Sequence, residues 1–158
     1  MTQTTLFSRP HPGWLAVLCF CLSAVMSVAH ADAPVFSADH GKAVAGYDVV
    51  TYFTSDTPLP GDPSHAVIWK GAVWQFISSK NREQFEANPR AYAPQYGGYC
   101  AFGVSQGLVL DTDPMLYQIR DGKLYLIHSE AIWSKWVEDM SGFITEADSH
   151  WPAVLRDE

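Results

Sequence analysis

The sequence predicts an α+β domain in which two β-hairpins form one small antiparallel sheet with helices packed on it. Residues 66–77 indicate the first hairpin, because apolar and polar side chains alternate on both sides of Gly71-Ala72. Residues 115–128 indicate the second, because the Asp121-Gly122 pair tolerates φ > 0 at both turn positions. Apolar side chains at helical spacing after the second hairpin predict a helix that packs on the sheet.

The first 31 residues have the features of a secretory signal peptide. Arg9 supplies a positive charge, residues 14–29 are apolar, and Ala29-His30-Ala31 fits a cleavage site. The apolar run is shorter than the ~20 residues that span a membrane. We therefore predict export to the periplasm of a Gram-negative bacterium, with no membrane insertion after cleavage. An uncleaved N-terminal anchor is the alternative.

Cleavage after Ala31 leaves residues 32–158, which are enough for one domain with its own core. This part keeps all 17 acidic residues and loses one of the ten basic ones. Such a negative surface argues against nucleic acid and anionic lipid as partners and suits cationic partners or metal ions. Since Cys19 and Cys21 lie in the signal peptide, Cys100 remains alone and no internal disulfide can form.

Short segments without helical periodicity precede the first hairpin. Residues 32–42 are polar and predict a leader on the surface. Residues 43–53 mix β-branched and aromatic side chains and predict extended or turn-like structure around Gly46. Residues 54–64 contain three prolines and predict a loop.

A helix follows the first hairpin. Ser78 or Ser79 can cap its N-terminus, and the helix ends before Pro89, which cannot continue it. Phe85 lies on the face that we expect to be buried.

The C-terminal part contributes a short strand, the second hairpin and two helices. The strand is expected at residues 108–110. Ser129 caps a helix that runs to Met140 and ends at Ser141-Gly142, and residues 143–151 form the last helix. The stripe that we assign to the core consists of Ile132, Trp133, Trp136, Val137 and Met140.

The segment from residue 85 to residue 104 contains the least ordinary residue choices in the chain. Gly97 and Gly98 permit φ > 0, and Cys100 follows where a new helical turn can begin. A thiol at a helix N-terminus tends to have a lowered pKa, so we expect this of Cys100. Three interpretations remain open for Cys100: a small buried side chain, a metal ligand or a redox-active thiol.

A metal at Cys100 needs further ligands, and His128 is the best placed histidine, where the second hairpin meets a helix. The alternative for His128 is a hydrogen-bonded structural residue. The chain has no C-x-x-C or H-x-x-x-H spacing that would strengthen the metal hypothesis. Asp111 and Asp113 fit turn positions rather than a calcium loop.

Aromatic side chains flank the thiol, and they too allow two interpretations. Tyr96, Tyr99 and Phe102 either pack around the glycine turn as part of the core or line a pocket that holds a ligand. No nucleophile elbow, phosphate-binding glycine loop or H-E-x-x-H motif indicates an enzyme.

Residues 69–92, WKGAVWQFISSKNREQFEANPRAY, resemble the YHS domain, a small hairpin-plus-helix module. From residue 43 to residue 152 the chain is similar to exported bacterial YHS-domain proteins, some relatives of which are selenoproteins. The resemblance implies a YHS-like fold for residues 32–158. It also implies metal binding through two cysteines in the pattern F-C-S-x-x-C, but Ile77 and Asn81 occupy those positions here and cannot form a thiolate site.

The sequence supports three hypotheses for function. The first is a non-enzymatic periplasmic protein that binds a copper or iron ion, or a metal-bearing partner protein, through Cys100 with His128 as second ligand. The second is a thiol redox protein that uses Cys100. The third is an interaction module without chemistry, whose aromatic groove receives a partner; an inert, fully buried Cys100 would favour it.

Overall fold

A computed structural model describes residues 1–2 and 36–156. The predicted signal peptide falls almost entirely outside these residues, so its prediction is unaffected. Within the described part of the chain, no helix combines the length and the hydrophobicity that a membrane crossing requires. The domain is α+β, as the sequence predicts.

The strands form two separate sheets, one of four strands and one of two. The four-stranded sheet has the order β1-β2-β4-β3, and the second sheet is the β5-β6 hairpin. The strands are β1 (Ala38–Asp39), β2 (Lys42–Ala43), β3 (Asp62–Trp69), β4 (Ala72–Phe76), β5 (Asp113–Arg120) and β6 (Lys123–Ile127).

Both predicted hairpins are present, but the expectation that they share one antiparallel sheet is wrong. The edge of β4 that could have received the second hairpin is occupied by β2, where Lys42 pairs with Val73 in parallel. The segment predicted to be a surface leader therefore contributes strands to the first sheet. The second hairpin packs on this sheet through side chains instead, since Leu124 and Leu126 belong to the same apolar cluster as Trp74.

Two consecutive residues with φ > 0 form the turn of each hairpin. The values are +49° and +82° at Lys70-Gly71, and +51° and +71° at Asp121-Gly122. This is the turn whose twist matches the flanking strands. The second turn lies where the sequence predicts it. The first lies one residue earlier than Gly71-Ala72, because Ala72 is buried and begins β4.

The helix after the first hairpin is confirmed. It is capped by Ser78, whose hydroxyl oxygen accepts a hydrogen bond from the Asn81 N–H at 3.2 Å. Phe85 is buried, and Pro89 begins a further short helix after the first one ends. The described helices are α1 (Thr51–Thr54), α2 (Ser79–Ala87), α3 (Pro89–Tyr92), α4 (Ala101–Ser105), α5 (Glu130–Trp136) and α6 (Met140–His150).

Two expectations for the C-terminal half are wrong. Residues 108–110 are not a strand, although the Leu110 carbonyl accepts the Cys100 N–H at 3.0 Å. The helix that begins at Ser129 stops at Trp136, and α6 begins at Met140 rather than after Gly142. The cause is Asp139, whose carboxylate accepts the Gly142 N–H at 2.9 Å and so caps a new helix.

The core consists of two apolar clusters that meet at β6. Leu124 and Leu126 point into the cluster of the first sheet, whereas Tyr125 and Ile127 point into the cluster formed with α4, α5 and α6. Within the stripe assigned to the core, Trp136 is fully buried but Val137 is exposed. Because β6 is buried on both faces, it joins the two halves of the domain.

Candidate functional site

The glycine turn before Cys100 adopts a left-handed backbone at three successive residues. Tyr96, Gly97 and Gly98 have φ of +52°, +62° and +83°. This confirms the expectation that the glycines bend the chain. A Cβ on Gly98 would lie 3.2 Å from the Pro94 ring, so glycine is needed there for space as well as conformation.

Cys100 is the N-cap residue of α4, as its position after the glycines predicts, but its thiol is completely buried. The sulfur accepts the Gly103 N–H at 3.4 Å, which satisfies a free amide of the first helical turn. The residue lies in the second apolar cluster, together with Val104, Ile127 and Trp136. Its surroundings are those of a structural side chain.

The expectation of a lowered thiol pKa at Cys100 is wrong. Burial raises the pKa because it removes the thiolate from water. The backbone amides of Gly103, His128 and Phe102 act in the opposite direction, but they do not outweigh burial, and the charge of Asp111 raises the pKa further. The protonated thiol is therefore the favoured form.

The backbone amide of His128 lies beside the Cys100 sulfur, whereas the His128 ring contacts Asp111. The ring Nδ1 lies 2.9 Å from the Asp111 carboxylate and 3.1 Å from the Asp111 carbonyl oxygen. Since a carbonyl only accepts, Nδ1 carries the proton in this arrangement. Among residues 1–2 and 36–156, no group of three or more His, Cys, Asp or Glu side chains is arranged to hold a metal ion.

A buried carboxylate that the sequence analysis did not single out, that of Asp48, accepts hydrogen bonds from Ile77 and Asn81. Asp48 is fully buried, and its Oδ1 accepts the Val50 N–H at 2.8 Å. Its Oδ2 accepts the Ile77 N–H at 2.9 Å and the Asn81 side-chain amide at 2.7 Å. Ile77 and Asn81, at which the YHS resemblance would imply cysteine, thus donate to one carboxylate. The sequence feature that could have indicated this buried carboxylate is an acidic residue directly before the apolar pair Val49-Val50.

The aromatic side chains that flank Cys100 divide between the core and a cavity. Tyr99 packs against Trp151, with ring centroids 6.3 Å apart, and Phe102 packs against Phe143. Tyr96 is buried in the same cluster and also lines a cavity of about 380 Å³. Burial, together with the hydrogen bond from its hydroxyl to the Asp148 carboxylate at 2.9 Å, raises the pKa of Tyr96 well above its usual range.

This cavity, called the aromatic groove below, combines aromatic rings with two cations. It has ten lining residues, of which none is acidic. Those that give it this character are Phe36, Trp69, Lys70, Arg90, Tyr96 and Trp151.

Contacts within the fold hold the rings of the groove in place. The Trp69 ring lies 5.1 Å from Phe36 and 5.6 Å from Trp74, measured between centroids. Trp151 packs edge-on against Tyr96 at 6.1 Å. Lys70 reaches the rim because it is the first residue of the hairpin turn, and its Nζ lies 5.4 Å from the Trp69 ring centroid.

The structure thus separates the residues that the sequence singled out. Cys100 and His128 are neighbours, but they do not line the aromatic groove, whereas Tyr96 does. Gly97 of the glycine turn lines it too, but the sequence analysis did not bring together the remaining segments, which are the residues before β1, the first hairpin, α3 and the residue after α6. Patterns within one segment of the sequence do not show which distant segments come into contact in the folded domain.

Comparison with known proteins gives no match to a protein-family model, a curated protein or a solved structure. The resemblance to YHS-domain proteins therefore remains a prediction carried by the residues quoted above.

Proposed function

We propose that this chain is a non-enzymatic binding module of the exported YHS type, whose aromatic groove receives a small ligand. The proposal modifies the third hypothesis from the sequence, an interaction module without chemistry, by giving the groove a small ligand in place of a partner. The proposal needs no covalent step and no cofactor, and it gives the domain the role of holding its ligand in the periplasm.

One contrast carries the proposal: the thiol is enclosed, whereas the aromatic groove is open. Cys100 has no exposed surface and a raised pKa, and both properties make it a poor nucleophile and a poor ligand. The groove offers about 380 Å³ that solutes can enter, which lies within the range of small-molecule sites, about 300–1,000 Å³. Lys70 and Arg90 are exposed and Trp69 and Trp151 are half-buried, so a ligand can reach them, whereas it cannot reach the Cys100 thiol.

The contacts of the groove residues further support a binding role. Tyr96 is fixed by its hydrogen bond to Asp148, and Trp69 by its contacts with Phe36 and Trp74. A ligand that enters the groove therefore meets rings that are already ordered. Less conformational entropy is lost on binding to such a site than on binding to a mobile one.

A fragment titration followed by the indole N–H resonances of Trp69 and Trp151 tests the proposal. We expect apolar fragments to shift these two resonances and to leave that of the fully buried Trp136 unchanged. Gln95→Trp should abolish the shifts, because Gln95 lines the groove and a larger ring would fill it. Gln84→Trp, on the exposed surface of α2, is the matched control. Absence of shifts, or equal shifts with Gln95→Trp, would overturn the proposal.

Binding of a copper or iron ion, or of a metal-bearing partner, at Cys100 and His128 is the second candidate. The observation in its favour is that the His128 peptide lies beside the Cys100 sulfur, so both predicted ligands belong to one neighbourhood. Binding would require the thiol to lose its proton. Metal titration of the wild type, Cys100→Ala and His128→Ala tests it. Loss of one stoichiometric site in both variants would support the metal site, and identical titrations would exclude it.

A further inference from the structure

We infer that the aromatic groove selects organic anions, namely small molecules with an apolar body and one carboxylate or phosphate group. This inference rests on the proposed function and adds the chemical class of the ligand. Neither the Cys100 thiol nor a metal ion takes part in it.

The charge of the groove is opposite to that of the chain. Overall, 17 acidic residues face ten basic ones, and the formal net charge is −7. The groove lining nevertheless contains Lys70 and Arg90 and no acidic residue. An anion is therefore repelled by most of the surface and attracted at this place, which concentrates its binding in the groove.

Both cations retain donors for a ligand. Among the ion pairs of residues 36–156, neither Lys70 nor Arg90 has an acidic partner. The contact of the Lys70 ammonium is with the face of Trp69, which uses none of its N–H donors in a hydrogen bond to an acid. An arginine guanidinium binds the two oxygens of a carboxylate or phosphate side by side, and lysine adds a point charge.

The aromatic rings of the groove favour a ligand with an apolar body next to its charged group. Trp69 and Trp151 are half-buried and offer aromatic surface next to the cations, so an aryl or alkyl body can pack there while its charged group reaches Lys70 or Arg90. A simple inorganic anion would leave this surface uncovered. The volume of the groove, about 380 Å³, lies in the range of small-molecule sites.

The test compares acids with a neutral molecule of the same shape. We would titrate the protein with 3-phenylpropionate, phenyl phosphate and 3-phenylpropanamide at pH 7, following the indole N–H resonances of Trp69 and Trp151. At least one of the two acids should bind about ten-fold more tightly than the amide, and the acid that does so identifies the charged group. Lys70→Gln and Arg90→Gln should each reduce that advantage several-fold, and Arg90→Lys should retain part of it.

Lys80→Gln is the matched control, because it removes the same charge from an exposed position on α2 that does not line the groove. Circular dichroism confirms that each variant is folded. If the amide binds as tightly as both acids, or if Lys80→Gln weakens the acids as much as Lys70→Gln, the inference fails while the proposed function stands. If no compound binds, including the amide, both fail.

Discussion

At the scale of single residues, the environment of Cys100 shows how burial opposes hydrogen bonding. The sequence correctly predicts the glycine bend and the helix start that surround the thiol, since both depend on neighbouring residues. It leaves burial open as one of three interpretations, because burial depends on Ile127 and Trp136 packing from distant segments. Burial decides the chemistry of the residue, because it raises the thiol pKa despite the helix amides.

The raised pKa of Cys100 predicts a loss of stability in mild alkali. Below the pKa of the thiol in the unfolded chain, both states hold the proton and stability is unaffected. As pH rises above that value, only the unfolded chain loses the proton, so the folded state loses stability until pH passes the folded pKa. From about pH 8.5 to 9.5 the free energy of unfolding should fall by up to about 1 kcal/mol more in the wild type than in Cys100→Ala.

Urea denaturation of both proteins at several pH values measures this difference. Tyr52 and Tyr96, whose pKa burial also raises, ionise in the unfolded chain only at higher pH. Parallel curves for the wild type and Cys100→Ala, or rapid reaction of the native thiol with Ellman's reagent, would contradict the assignment of an inert thiol.

The buried carboxylate of Asp48 gives a second prediction at this scale. Asp48→Ala leaves three donors without their acceptor, those of Val50, Ile77 and Asn81. We expect a loss of about 3 kcal/mol or more in the free energy of unfolding. Asn81→Ala removes one donor only, and should cost about 1 kcal/mol. If urea denaturation gives the same loss in the free energy of unfolding for Asp48→Ala and Asn81→Ala, the carboxylate does not stabilise all three donors.

At the scale of secondary structure elements, turns and caps formed by characteristic residues can be predicted from the sequence. Helix boundaries are harder to predict. The Asp121-Gly122 turn and the Ser78 cap lie where local residue choice places them. The break between α5 and α6 was missed because Ser141-Gly142 also fits the end of a helix. In the structure, Gly142 instead makes room for the Asp139 cap, since a Cβ there would collide with that carboxylate.

The boundary between α5 and α6 predicts that Asp139→Ala destabilises the domain. The variant loses the acceptor for the Gly142 N–H, which should lower the free energy of unfolding by about 0.5–2 kcal/mol. Asp139→Ser should recover most of this, because a hydroxyl can also cap. Glu138→Ala, at the adjacent exposed residue, serves as the control in thermal or urea unfolding. An unchanged midpoint for Asp139→Ala would refute the capping role.

At the scale of the whole molecule, the sequence predicts the fold class and both hairpins but neither the two-sheet arrangement nor the groove. Local periodicity cannot show that β2 occupies the free edge of β4, or that β6 is buried on both faces. The groove likewise depends on Phe36 and Trp151, which are far apart in the chain and come together only in the folded domain.

The most direct measurement of the central claim is the titration of the wild type and of Gln95→Trp with 3-phenylpropionate and phenyl phosphate. We predict that at least one of these acids shifts the indole signals of Trp69 and Trp151 in the wild type, with saturation, and leaves the equivalent signals unmoved in Gln95→Trp. Signals that do not respond to either acid, or that respond equally in both proteins, would contradict a ligand site in the aromatic groove.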